Sequence, residues 1–173
     1  MARVVLPLTE SWIDYPDPTS NAVNVFFSGC AFSCPGCHNP ELLTYEYVHS
    51  VLIDGQGLYD AAIDFSNRLG GTDKIVFQGG DPLHPYNRDC VMEFLEINKH
   101  FQVCIYTGYT ITTIEKIGLN GYSFIKCGTY ERDKAQQGQK LEDKLVLAST
   151  NQQLFDKDNS LLSDNGVYYF QEA

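Results

Sequence analysis

Apolar and polar residues alternate along this chain with two periods, one suited to strands and one to helices. Ala22 to Phe27 is a β-rich run ended by Ser28-Gly29, and it predicts a first strand. From Gln56 to Leu69 the apolar residues Leu58, Ala61, Ala62, Phe65 and Leu69 share one helical face, and Gly70-Gly71 stops that helix. Lys74 to Phe77 predicts a short buried strand ending in Gln78-Gly79-Gly80-Asp81. Tyr86 to Lys99 predicts a second helix, with Val91, Phe94 and Leu95 as its apolar stripe and Asn98 closing the same face. Gln102 to Tyr106 is a strand broken by Thr107-Gly108, and Thr110 to Ile117 a short helix with Thr110 or Thr112 as its cap. Tyr122 to Lys126 is a further strand, ended by Cys127-Gly128.

Strand, helix and strand in this alternation imply parallel pairing with right-handed crossovers. Four such strands are too few for a closed eight-fold barrel, so an open, curved, partial α/β barrel is expected. Ligands in such sheets collect beyond the carboxyl ends of the strands, where the glycine-marked turns at 29, 79–80 and 108 all fall. Residues 1–21 are mixed, with Tyr15-Pro16-Asp17-Pro18 read as turns, and 40–53 reads as loop with short structure. The stretch 130–144 is charged and glutamine-rich, a solvated loop or a flap near the site or a partner. Leu145-Val146-Leu147 and Val167-Tyr168-Tyr169-Phe170 are expected to pair as late strands. The organisation expected is one domain over 1–173, with a core at about 22–128 and a C-terminal segment at 129–173.

A chain of 173 residues buries roughly 70% of its unfolded surface and needs no metal to fold. A cluster of cysteines in it therefore asks for a functional explanation. The net charge of −10, with no basic run, speaks against direct nucleic-acid binding through phosphate neutralisation. Met1 to Pro7 has a three-residue apolar run stopped by proline, unlike a signal peptide. No apolar stretch approaches the roughly 20 residues of a membrane span. Six cysteines without export features fit a reducing compartment, and the expected location is the cytoplasm.

Cys30, Cys34 and Cys37 place three thiols at spacings of four and three. So short a segment can wrap a metal centre but supplies no fourth thiol. On a cubic iron–sulfur cluster, three thiolates leave one iron open to a small molecule. Zinc is the alternative, with His38 folding back as a fourth ligand, and a redox pair is another. Cys90, Cys104 and Cys127 stand singly and are read as structural, as is His84. Gly79 and Gly80 let backbone approach a ligand closely, and Asp81 offers an acceptor to an ammonium group, although a tight strand-to-helix turn explains the same tripeptide. Tyr106 and Thr107 end a strand on the site side, as ligand contacts or as core packing and a turn.

C-x-x-x-C-x-x-C after a strand resembles the cluster motif of radical S-adenosylmethionine enzymes. Phe27-Ser28-Gly29-Cys30, Cys34-Pro35-Gly36-Cys37-His38-Asn39, Gln78-Gly79-Gly80-Asp81-Pro82-Leu83, Tyr106-Thr107-Gly108-Tyr109 and Thr150-Asn151-Gln152 are similar, in order, to segments of activating proteins of anaerobic ribonucleoside-triphosphate reductase. Residues of about 10–155 carry the resemblance. Gly36 stands, as in the reductase-activating subgroup, where many radical enzymes have an aromatic residue, and Asp17-Pro18-Thr19-Ser20-Asn21-Ala22 lacks the Gly-Pro-Gly turn and arginine of relatives.

The resemblance implies that Cys30, Cys34 and Cys37 ligate a 4Fe–4S cluster, with S-adenosylmethionine on the fourth iron. Its reductive cleavage would give methionine and a 5′-deoxyadenosyl radical. That radical would take hydrogen from a glycine of the large reductase subunit. Gly79, Gly80 and Asp81 would contact the amino group of S-adenosylmethionine. From position alone, Lys126 at a strand end is a candidate for its carboxylate, and His38 is either a packing group for the cluster or adenosine or an ordinary satisfied polar residue. The partners implied are that large subunit, through its glycyl-radical loop, and an electron donor such as a flavodoxin-type protein. An activase of a formate-lyase-type enzyme and a non-catalytic zinc-binding module are the competing readings.

Overall fold

The computed structural model describes residues 1–171. In chain order its elements are β1 (Ala2–Val5), β2 (Thr9–Ser11), β3 (Ala22–Phe27), β4 (Ser50–Ile53), α1 (Gly55–Arg68), β5 (Lys74–Gly79), α2 (Arg88–Ile97), β6 (Gln102–Tyr106), α3 (Ile111–Ile117), β7 (Phe124–Cys127), β8 (Gln139–Lys140), β9 (Lys144–Val146), β10 (Gln153–Asp156) and β11 (Val167–Tyr169). Short 3₁₀ turns lie at Pro40–Leu43 and Arg132–Lys134.

The apolar runs form the centre of the main sheet, because strands covered on both faces bury every side chain. β3, β5, β6 and β7 pair in parallel in that order. The full order is β10-β7-β6-β5-β3-β1-β4, with β10, β1 and β4 antiparallel to their neighbours and β2 sharing the flank of β3. The fold is thus mixed α/β. Val25, Phe27, Ile75, Phe77, Val103, Ile105 and Ile125 pack with Leu58, Ala62, Val91 and Phe94 from α1 and α2. Phe77 and Phe94 meet edge to face at 4.9 Å. Ala22, Val76 and Cys104 form a smaller cluster with Tyr15, while Cys90 and Cys127 belong to the main one. These three cysteines pack as small hydrophobes.

Helix boundaries follow their caps. Asp54 accepts from the Gly57 amide at 2.8 Å and starts α1, and Gly70 and Gly71, at φ 88° and 84°, end it. Thr110 caps α3, accepting from the Thr113 amide. α2 is shorter than the expected 86–99. Residues 84–87 close turns onto Asp81 and His84, and Asn98 leaves the helix to bond Phe101 and His100 instead of closing its apolar face. β5 runs two residues past Phe77, because Gln78 and Gly79 pair with Phe26 and Phe27. The strand expected over 122–126 is shifted to Phe124–Cys127.

Residues 1–21, read as mixed, contain β1 and β2, and 40–53 supplies the edge strand β4. The late strands pair as expected, β9 with β11, and β8 joins them from inside the charged 130–144 stretch. This second sheet packs through Leu145 and Leu147 on Leu154 and Phe124. Residues 172–173 of the expected C-terminal segment lie outside the described residues. No helix among the described residues is long and apolar enough to cross a membrane.

Asn87 joins the pieces at the carboxyl end of the sheet. Fully buried, it donates through Nδ2 to the Ser28 carbonyl at 2.9 Å and the Asp81 carbonyl at 3.2 Å. Its Oδ1 accepts from the Arg3 amide at 3.1 Å. Asn87→Ala strands these groups without water. It is expected to lower the urea midpoint, at unchanged m, by on the order of 3 kcal/mol of stability. An unchanged midpoint would contradict this.

Candidate functional site

The turns after β3, β5 and β6 touch one another. Gly80 donates its amide to Phe27, and Asp81 donates to the Gly29 carbonyl at 2.8 Å. Gly29 in turn donates to Leu42 at 2.9 Å. A Cβ on Gly80 would lie 2.4 Å from the Leu42 oxygen and 2.5 Å from the Gly29 oxygen. Gly79 sits at φ 116°, and a Cβ there would meet the Phe27 oxygen at 2.5 Å. The chain's own backbone therefore requires both glycines, quite apart from any ligand.

Asp81 ties the second turn to the third. One carboxylate oxygen accepts from the Leu83 amide at 2.8 Å, the other from the Gly108 amide at 2.8 Å, and the Thr107 hydroxyl lies within 3.0 Å of both. Burial raises its pKa, opposed by these donors and by Lys126. Gly108 packs flat on Phe32 of the cysteine loop, where a Cβ would come within 2.5 Å of the ring. Phe32 meets Tyr109 edge to face at 4.9 Å.

These contacts enclose a cavity of about 310 Å³. Cys30, Cys34, Cys37 and His38 line it together with Gly79, Gly80, Asp81, Tyr106, Thr107 and Lys126. All ten residues picked out in the sequence thus share one space. Their availability differs, however. Asp81 and Thr107 are spent on each other, and the Tyr106 hydroxyl donates to the Asp14 carbonyl at 2.7 Å. Lys126 places its ammonium 5.2 Å from the Tyr106 ring centre, and burial lowers its pKa. The His38 ring lies 5.1 Å from that of Tyr130.

The three cavity cysteines are free thiols and half-buried. Burial pushes the Cys30 thiol up to about 11, against the Phe32 amide that it accepts from. It is therefore protonated at neutral pH, and a metal taking its sulfur displaces a proton. Among the described residues no three His, Cys, Asp or Glu side chains converge to hold one metal ion.

Several lining groups escaped the sequence reading. Asp14 accepts from Ser11 and from Gln78, at 3.1 Å, and Gln78 also donates to Asn24 at 2.7 Å. Gly138, Gln139 and Leu145 to Ala148 form the wall contributed by the second sheet. Asp14 lies in a segment without period and gave no signal. The wall was partly visible in the Leu145-Val146-Leu147 strand and in the flap reading of 130–144. Asp17, in the stretch that lacks the relatives' turn, makes its own: Oδ1 accepts from the Thr19 amide and the Thr19 and Ser20 hydroxyls. Asn151 and Gln152 fold back to donate to Thr129 and Gly128, closing the turn after β7.

Three relatives carry the name anaerobic ribonucleoside-triphosphate reductase-activating protein. The chain is 27% identical to that of Haemophilus influenzae over 96 residues, covering 53% of this chain and 61% of the relative. It is 27% identical to that of Pasteurella multocida over 120 residues, covering 64% and 75%. To that of Vibrio cholerae it is 26% identical over 108 residues, covering 60% and 68%. No solved structure matches the chain. The family model described as a 4Fe–4S single cluster domain matches residues 21–155, from the first strand of the parallel core through the cysteine loop to β10, and the chain belongs to that family.

Proposed function

We propose that the protein is a radical S-adenosylmethionine activase that generates a glycyl radical on the large subunit of an anaerobic ribonucleoside-triphosphate reductase. The observation that carries the reading is that Cys30, Cys34 and Cys37 line one cavity with the turns after β5 and β6. The donor set fits the group: three half-buried thiols with no fourth cysteine beside them. The names of the relatives support the reaction and the partner. In this reading the domain spans 1–173, its main sheet is the open partial barrel of the radical enzymes, and it works in the cytoplasm.

A 4Fe–4S cluster with S-adenosylmethionine on its open iron supplies one-electron cleavage of the sulfonium carbon–sulfur bond when bound. The chain's own groups bind and orient. Gly79 and Gly80 present backbone at the floor, and Asp81, buried beneath it, holds that backbone in place and adds negative charge near an ammonium group. Lys126 offers its ammonium to the substrate carboxylate from within the cavity. Phe32 and the Leu145–Leu147 run help to exclude water, which protects a reactive radical from side reactions. His38 and Tyr130 flank the cysteine end.

The remaining requirements lie outside the chain: a one-electron donor of the flavodoxin type, and a glycine-bearing loop of the large subunit that enters the cavity. The net charge of −10 favours a basic docking surface on that subunit, and binding is expected to weaken with salt.

Alanine in place of Cys30, Cys34 or Cys37 is expected to abolish 5′-deoxyadenosine formation under dithionite, and the glycyl-radical signal when the large subunit is present. Undiminished cleavage would overturn the reading. Lys126→Met is expected to weaken S-adenosylmethionine binding by about tenfold to hundredfold while iron content stays at the wild-type level, because a charge-assisted bond is lost. Unaltered affinity would remove Lys126 from the site.

A further inference from the structure

Gly138, Gln139 and the Leu145–Ala148 run line the same cavity as Asp14, and they lie in the hairpin that runs from Ala135 to Ser149. This hairpin belongs to the second sheet, which shares no ladder with the main one. One arm is held by Leu145 and Leu147 in the apolar cluster with Leu154 and Phe124. The other arm is held, on the same face, by a charge. Lys140 donates through Nζ to three carbonyls of one turn, those of Asp17 at 2.7 Å, Ser20 at 3.3 Å and Tyr15 at 3.4 Å.

That arrangement is specific. An ammonium has three protons, and here three backbone oxygens accept them. Lys140 lies directly across β8 and β9 from Leu145, so both side chains leave the sheet on the face turned to the body of the protein. The turn that it grips is closed by Asp17 and leads back to Asp14, which Gln78 and the Tyr106 hydroxyl hold at the cavity. A freely hydrated lysine would not be ordered in this way, because its long stem loses rotamer freedom when fixed. The turn and the hairpin, distant in sequence, are joined by this head group and also by Tyr15, which meets Phe124 of the Leu145 cluster edge to face at 5.8 Å.

We propose that Lys140 is a positioning residue: it latches the 135–149 hairpin to the 15–20 turn and so sets the spacing between Gln139 and Asp14 across the cavity. The mechanical half stands on hydrogen bonds alone. The kinetic half rests on the reading of the cavity as the S-adenosylmethionine site.

The test compares the cluster-loaded wild type with Lys140→Met, which keeps the stem and removes the donors, and with Lys140→Arg, which restores donors. Hydrogen exchange is followed in peptides covering 12–21 and 136–148, with β5 and β6 as internal controls for folding. The Met variant is expected to exchange at least tenfold faster in both segments while the controls stay protected, and the Arg variant to regain most of the protection. In S-adenosylmethionine cleavage the Met variant is expected to raise KM several-fold with kcat within about twofold. Unchanged exchange in both segments would overturn the latch. Faster exchange with an unchanged KM would overturn its link to the site. A wild type that cleaves no S-adenosylmethionine would sink the functional reading, and the exchange data would still decide the latch.

Discussion

The arrangement depends on a close crossing of backbones at the carboxyl end of the sheet. Gly80 lies so near the carbonyls of Gly29 and Leu42 that no side chain fits, and Asp81 is pinned to Gly29 by its amide and to Gly108 by its carboxylate. Three turns from three neighbouring strands are thereby fused. A loop that must hold cysteines at fixed places needs such a base, because loops otherwise carry the least local stability in a fold. Here the cysteine loop leaves β3 at Gly29, on top of the fused turns.

The same crossing explains the charges beneath the cavity. A carboxylate buried as completely as Asp81 is tolerated because four short donor contacts from three groups surround it. Lys126 lies near enough to favour its ionised form, and is itself held short of full basicity by burial. One cation facing the cavity and one anion beneath it suit a zwitterionic ligand better than a simple anion. Asn87 and Asp81 divide the labour: the amide ties the turns to β1, and the carboxylate ties them to β6.

Much of this was legible in the sequence, for physical reasons. Ala22–Phe27 and Gln102–Tyr106 are apolar runs closed by small residues, and both strands have the bounds expected of them. The three glycine-marked turns pointed to one shared space, and they do meet. For Gly79 and Gly80 the sequence left a ligand's close approach and a tight turn as two explanations, and the structure shows the chain's own oxygens filling the space of the missing side chains. Short flanking strands such as β1 and β2 carry too few residues to show a period. Asn87 and Asp14 act through long-range bonds, which leave no trace in local pattern. Lys140 looked like part of a solvated charged stretch because its partners are backbone carbonyls about 120 residues away.

The chain belongs to the 4Fe–4S single cluster family, and its three clustered thiols line one cavity; that the cluster keeps an open iron is the central claim of the proposed function. The most direct measurement is Mössbauer and electron paramagnetic resonance spectroscopy of the anaerobically reconstituted protein, before and after S-adenosylmethionine is added. The account predicts a four-iron cluster in which one iron site, and the signal of the reduced cluster, change when the ligand binds. A single bound zinc, or a cluster whose spectrum ignores S-adenosylmethionine, would contradict it.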